Sequence, residues 1–242
     1  MNAAESTARE NILTRLRRAR HAGAPERRAV EPEAAAAALA DDREGQAGRV
    51  ARLEEELKKL TARFVRVTTP REAREAVAAL AAEHGAASAV AWDHPLLAAL
   101  DLPEALAQAG ARLLHPREGE EGAACGACGT VACAAEAAVG LTAVDAAIAS
   151  TGTLVLAAGP GRPRAASLLP PLHVAVVRAD QIVAGLDDLP GVLARLRDED
   201  GLPPSGVFCI SGPSCTADIE LVKVFGVHGP TRLAVVCLDF SA

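Results

Sequence analysis

The sequence predicts an α/β fold in which a mainly parallel sheet is flanked by helices. From about residue 49, short apolar segments rich in Val and Leu alternate with segments of helical periodicity, which is typical of such sheets. The apolar segments are hydrophobic without interruption, as expected for strands buried on both faces. Half of the 242 residues are hydrophobic, so a substantial core can form.

The chain is predicted to divide into an N-terminal helical arm with a linker, residues 1–48, and an α/β domain, residues 49–242. Residues 5–21 have the spacing of a basic amphipathic helix, whereas residues 22–48 show little periodicity. We expect this helix to dock on its own domain or on a partner subunit, because it offers little apolar area for anchoring to a membrane.

The domain is expected to alternate between helices and strands. Thr69 is expected to cap a helix that begins at Pro70, runs towards Glu83 and stops near Gly85. Strands are predicted in RFVRV, SAVAW, residues 112–114, TLVLA, HVAVVR, VFCIS and RLAVVCL. Further helices are predicted in VARLEEELKKL, after Asp93, in residues 133–149 as two short helices broken at Gly140, in DLPGVLARLRDED, and in CTADIELVKVF ending at Gly226.

Charge and composition exclude several classes of function. The net charge of −6 and the absence of Tyr, with only 1 Trp, argue against a nucleic-acid-binding protein. No apolar run reaches the roughly 18 residues of a membrane span, and the N-terminus lacks the apolar segment of a secretory signal. We therefore expect a cytoplasmic protein.

Two Gly-Pro loops follow predicted strands and are candidates for a ligand site. Residues 159–164, GPGRPR, match neither a Walker loop nor a dinucleotide fingerprint. Their glycines allow backbone to approach a ligand, and their arginines suit carboxylate or phosphate. In residues 210–220, ISGPSCTADIE, a predicted helix start capped by Ser214 or Thr216 would add free N–H groups.

If both preceding strands are parallel, both loops lie at the carboxyl edge of the sheet and form one anion pocket. The alternatives are a surface turn with solvated arginines for the first loop and an ordinary helix cap for the second. The residues expected to bind the anion are Gly159, Gly161, Arg162, Arg164, Ser211, Gly212, Ser214 and Thr216.

The segment LTAVDAAIASTGTLVL, residues 141–156, adds further candidates. Asp145 is expected in an Ala-rich helix, where it caps the helix, orients the following loop or faces the pocket. Thr151, Gly152 and Thr153 are expected to bind ligand through their hydroxyls and backbone, or else to satisfy a turn. Asp145 and His228 are the candidate catalytic residues, although a histidine that flanks a strand, like His173 or His228, is more often structural.

No metal or other cofactor is expected in this chain. Cys125, Cys128 and Cys133 have part of the spacing of a zinc or cluster site, with His115 as a possible fourth ligand. The surrounding Ala and Gly favour small buried thiols instead, and the six cysteines form no obvious disulfide framework.

Residues 140–177, GLTAVDAAIASTGTLVLAAGPGRPRAASLLPPLHVAVV, and 211–239, SGPSCTADIELVKVFGVHGPTRLAVVCLD, carry a family resemblance. Over roughly residues 60–240 the chain resembles the LUD-domain family, and within it the lactate utilization protein C branch. The resemblance implies a fold like that of the glucosamine-phosphate deaminase, ribose-phosphate isomerase and CoA-transferase superfamily. Position 150 is Ser, where an acidic residue is common in this family.

The resemblance implies a role in oxidation of L-lactate to pyruvate alongside partner proteins that carry iron–sulfur clusters. We expect an accessory subunit that binds a small carboxylate or phosphate and is able to self-associate. One alternative is an independent isomerase or transferase that acts on a sugar phosphate or acyl-CoA, as the implied fold permits. Another is a regulatory ligand-binding module.

Overall fold

The computed structural model of the chain describes residues 10–15, 45–114, 129–198, 201–217 and 223–240. Residues 10–15, within the predicted N-terminal helix, are helical. The remainder of that helix and the linker up to residue 44 lie outside the described residues. The division into arm and domain therefore stays a prediction.

A six-stranded parallel sheet forms the centre of the described fold, with the strand order β1-β12-β7-β4-β2-β3. The predicted α/β class and its mainly parallel sheet are confirmed. Its strands are β1 (Arg63–Val67), β2 (Ser88–Ala91), β3 (Arg112–Leu114), β4 (Val139–Ala143), β7 (Leu172–Arg178) and β12 (Arg232–Leu238).

A second sheet, which the sequence did not distinguish from the first, has the order β8-β5-β6-β9 and mixed strand directions. A separate antiparallel pair, β10 with β11, follows it in the chain. These strands are β5 (Ala146–Ile148), β6 (Thr153–Ala158), β8 (Ile182–Val183), β9 (Gly206–Ile210), β10 (Cys215–Ala217) and β11 (Lys223–Phe225).

The helices cover the sheets and mostly lie where periodicity predicted them. Helix α1 (Gly45–Lys59) buries Val50, Leu53 and Leu57, the residues spaced along one face. Thr69 caps α2 (Pro70–Glu83) by accepting a hydrogen bond from Glu72 N at 3.2 Å. The helices are α1 (Gly45–Lys59), α2 (Pro70–Glu83), α3 (Pro95–Ala99), α4 (Leu102–Gln108), α5 (Gly129–Glu136), α6 (Ala165–Leu168) and α7 (Leu189–Arg195).

The prediction of two helices in residues 133–149 is wrong beyond Glu136, because this segment continues as β4 and β5. Both strands are buried throughout, so they carry no alternation that would distinguish them from an Ala-rich helix. Gly140, the expected helix breaker, lies in β4 under α6. A Cβ at Gly140 would lie 1.8 Å from the carbonyl oxygen of Ala166, so this contact requires glycine.

The predicted helix in CTADIELVKVF is also wrong where the structure describes it. Residues at its two ends pair as antiparallel strands, with Cys215 opposite Phe225 and Thr216 opposite Val224. The described residues therefore provide no helix start capped by Ser214 or Thr216, and the anion site expected from such a start is absent there.

Candidate functional site at the carboxyl edge of the parallel sheet

The two Gly-Pro loops do not meet, because the strands before them are antiparallel. Leu154 at the start of β6 pairs with Ile210 at the end of β9, and Ala158 pairs with Gly206. The loop after β6 and the loop after β9 therefore lie at opposite ends of the strand pair. The single pocket expected from parallel strands is wrong, and its residues belong to two places.

The loop at residues 159–164 lies at the carboxyl edge of the parallel sheet, against the segment that follows β2. Asp93 N donates to Gly161 O at 2.8 Å, and Trp92 Nε1 donates to Pro163 O at 2.9 Å. Gly161 has a φ of +68°, and a Cβ there would lie 2.8 Å from Asp93 Cβ. The glycine thus serves a turn and a close contact between two loops of the same chain.

Asp145 joins Arg162 at this edge. It lies between β4 and β5, so the predicted position in a helix and the capping role are wrong. Its Oδ2 accepts from Ala157 N at 2.6 Å, and its Oδ1 lies 3.3 Å from Arg162 Nη1. Asp145 therefore orients the loop that carries Arg162, which is one of the roles expected from the sequence.

His94 completes the carboxyl-edge cluster, which we define as Asp93, His94, Asp145 and Arg162. Its Nδ1 accepts from Leu96 N at 3.1 Å, at the start of α3. Burial lowers the pKa of His94, the positive charge of Arg162 lowers it further, and Asp145 opposes both. The ring is therefore neutral near pH 7, with its proton on Nε2, because Nδ1 acts as an acceptor.

The carboxyl-edge cluster presents hydrogen-bond donors that no described residue engages. The Arg162 side chain is 28% exposed, and no described residue accepts from its Nε or Nη2. No described residue bonds to His94 Nε2 either. These donors suit a carboxylate or phosphate oxygen. His94 was not predicted from the sequence. The segment WDHP directly after a buried strand was nevertheless a usable signal, since ligands bind where parallel strands end.

Arg164 does not share the surroundings of Arg162. Its guanidinium lies over the ring of Phe208, 5.4 Å from the ring centre. Phe208 belongs to β9 and pairs with Leu156 in the middle of β6. This cation–π contact gives Arg164 a structural role, so neither solvent nor a ligand is needed to explain its position.

The other predicted site residues lie at the amino edge of the sheet. Ser211, Gly212, Ser214 and His228 line a cavity of about 220 Å³ together with His173, and we call this the amino-edge cavity. His173 is buried and lies near the start of β7, opposite Leu233 in β12.

Three hydroxyl groups run in a chain to this cavity. Thr151 Oγ1 lies 2.7 Å from Thr153 Oγ1, which lies 2.8 Å from Ser211 Oγ. The glycines beside them serve packing: a Cβ at Gly152 would lie 2.9 Å from Leu60 Cδ1, and one at Gly212 would lie 3.0 Å from Leu60 O. Their close approach is to the turn before β1.

The structure describes only part of the cysteine-rich segment. Cys133 is buried in α5, but it is disulfide-bonded, so the expectation of a free buried thiol is wrong there. Cys125, Cys128 and His115 lie outside the described residues. Across the described ranges, no group of three or more His, Cys, Asp or Glu is placed to hold a metal ion. In the same ranges, none of the helices has the length and apolar character that a bilayer crossing requires.

The fold and site thus define a helix-flanked parallel α/β protein with donors gathered at the carboxyl edge of its sheet. The LUD domain family matches residues 50–238, and the chain belongs to that family. The resemblance noted in the sequence is confirmed. A crystal structure of a DUF162 family protein from Deinococcus radiodurans is similar, with a TM-score of 0.54 and 25% identity, over 80% of this chain and 98% of the other.

Several relatives carry the name lactate utilization protein C. The one from Geobacillus is 32% identical over 173 residues, 70% of this chain and 69% of its own length. The one from Exiguobacterium is 46% identical over 99 residues, 40% of this chain and 43% of its own length. An uncharacterized Escherichia coli protein, YkgG, is 32% identical over 174 residues, which are 72% of this chain and 72% of its own length. The match to this chain spans about 43–65% of the full length of the first three relatives, all of which carry the name lactate utilization protein C.

Proposed function

We propose that this chain is an accessory subunit in the oxidation of L-lactate to pyruvate, and that the carboxyl-edge cluster binds the carboxylate of the substrate or product. The observation that carries the proposal is the Arg162 guanidinium, held at Nη1 by Asp145 with its other donors directed to no described residue. Relatives named lactate utilization protein C support the choice of lactate and pyruvate as ligands.

His94 contributes binding rather than proton removal in this proposal. Its Nδ1 is occupied by Leu96 N–H, so the neutral ring presents Nε2–H. An N–H group donates to a carboxylate or carbonyl oxygen, but it does not accept the hydroxyl proton of lactate. Together with Arg162 it makes a site with two kinds of donor for one small anion.

The electrons of lactate oxidation go to partner proteins that carry iron–sulfur clusters. Oxidation of lactate to pyruvate removes two electrons and two protons, and such chemistry is normally performed by a cofactor. The accessory subunit would then hold the anion in register with the cofactor of a partner.

The test uses the purified full chain and the assembly that co-purifies with this chain from its native cells. We expect L-lactate and pyruvate to bind the isolated chain in calorimetry, without dye reduction by L-lactate. The co-purified assembly should reduce the dye. Sustained dye reduction by the isolated chain, or an assembly without cluster proteins, would contradict the accessory role.

The same experiment addresses the alternative of an independent isomerase or transferase. One observation favours that alternative: Asp93 is an exposed carboxylate beside Gly161, and such a group is able to serve as a general base. Calorimetry with a sugar phosphate and with an acyl-CoA supplies the comparison. Tighter binding of either compound than of L-lactate would favour the alternative.

A further inference from the structure

The amino-edge cavity contains a buried histidine with one ring nitrogen unused. The side chain of His173 is 1% exposed, and Nε2 lies 2.8 Å from Thr142 Oγ1. No described residue bonds to Nδ1, and His173 is one of the residues that line the cavity. We infer that Nδ1 finds its partner in this cavity, because His173 lines it and no described residue occupies the nitrogen.

The hydroxyl of Thr142 determines which nitrogen carries the proton. Thr142 is fully buried in β4, and the only described partner of its hydroxyl group is His173. If Nε2 donated to Thr142, the hydroxyl proton would be left buried without an acceptor, which is costly. Thr142 therefore donates to Nε2, and the neutral ring carries its proton on Nδ1. The cavity receives an N–H donor from its buried side.

The other cavity walls fit a small acceptor with an apolar body. Ser211 Oγ ends the chain of hydroxyls and is able to donate into the cavity. None of the described lining residues is acidic, whereas His173 and His228 both line the cavity. Ile210, Pro213 and Leu233 supply apolar surface. A volume of about 220 Å³ is small for drug-sized ligands and suits a short chain.

We propose that the amino-edge cavity is a second ligand site, which binds a small aliphatic monocarboxylate through His173 Nδ1–H and Ser211. Its alkyl group packs against Ile210 and Leu233, and His228 lies at the exposed rim of the cavity. This site is separate from the carboxyl-edge cluster and does not depend on the function proposed above. Thr142 acts as a positioning residue, since it reaches the ligand only through His173.

The first test is the tautomer of His173 in the ligand-free full chain at pH 7.5. Nitrogen-15 spectra of the imidazoles distinguish Nδ1–H from Nε2–H, and His173→Gln identifies the signal. We expect the Nδ1–H tautomer. In Thr142→Val, which keeps the shape of the side chain, we expect an increased share of Nε2–H. An Nε2–H tautomer in the unmodified chain would overturn the proposal.

The second test is titration with butyrate, with 1-butanol as the matched probe without a carboxylate. Butyrate should shift the His173 signals saturably, both in the unmodified chain and in Arg162→Ala, where the carboxyl-edge site is disabled. Thr142→Val should weaken butyrate binding roughly three- to tenfold, as expected for a hydrogen bond that is no longer oriented. Equal shifts with butanol, no saturable shift, or loss of the shift in Arg162→Ala would each overturn the proposal.

Discussion

Arg162 and Asp145 form an ion pair that ties the loop after β6 to the start of the second sheet, with Nη1 3.3 Å from Oδ1. Both side chains are partly buried, at 28% and 12% exposure, so solvent screens the pair less than a surface pair. The carboxylate is also fixed by Ala157 N. The guanidinium is thereby held at the sheet edge, with donors left over for a ligand.

The first prediction separates the two arginines of the loop. Arg162→Ala should weaken binding of L-lactate or pyruvate on the order of tenfold or more, because a charge-assisted hydrogen bond is lost. Arg164→Ala is the matched control, since its guanidinium lies over Phe208 and away from this role. Calorimetry on both variants measures the effect. Equal losses of affinity in the two variants would show that Arg162 has no special place in the site.

The carboxyl-edge cluster could be predicted from the sequence only in part. Arg162, Gly161 and Asp145 were identified from residue type and loop position. His94 was missed because its loop follows β2, some 50 residues before Asp145. The two loops become neighbours only because β2 and β4 are adjacent in the sheet, and that strand order is a property of the tertiary fold.

The second sheet was missed for a related reason. Its strand β6 is buried along its whole length, so its sequence has the same continuous apolar character as the strands of the parallel sheet. The direction of β9 relative to β6 was therefore not readable, and the prediction of one shared pocket failed on that point. Local signals such as the Thr69 cap succeeded, because the residues involved are only three apart.

A second prediction concerns Gly140. In Gly140→Ala, the new methyl group would collide with the carbonyl oxygen of Ala166, so β4 and α6 must separate. We expect the free energy of unfolding to fall by about 2–4 kcal/mol. Gly110→Ala is the control: it has open space and a φ of +83°, so it should cost only about 1 kcal/mol. Urea unfolding compares them, and equal losses would contradict the packing argument.

A third prediction links His173 to acid stability. Burial lowers the pKa of His173 to about 4, below the usual 6.5 of an unfolded chain. Between these values the unfolded state binds more protons than the folded state. The contribution of His173 to the free energy of unfolding should therefore be fully present above about pH 6.5 and decrease as the pH drops towards 4. The full loss from this residue is on the order of 3 kcal/mol.

Urea unfolding at pH 7.5, 6 and 5 tests this prediction. His173→Gln should flatten the pH dependence across this range, whereas the unmodified chain should become less stable at each step. His94, whose pKa is lowered in the same direction, should leave a smaller slope in the variant. The same slope in both proteins would mean that His173 is protonated as easily in the folded state as in the unfolded one.

The last prediction concerns the N-terminal arm. A chain that starts at Gly45 keeps the whole of α1, whose Val50, Leu53 and Leu57 are buried in the core. We expect it to unfold in one cooperative transition with a nearly unchanged Tm, and any loss to appear in association with partners or with itself. A chain that starts at Thr61 is the matched control. It removes three buried side chains, each worth about 1.5–3 kcal/mol, and should lose the transition. Loss of the transition in the longer chain would show that residues 1–44 cover part of the core.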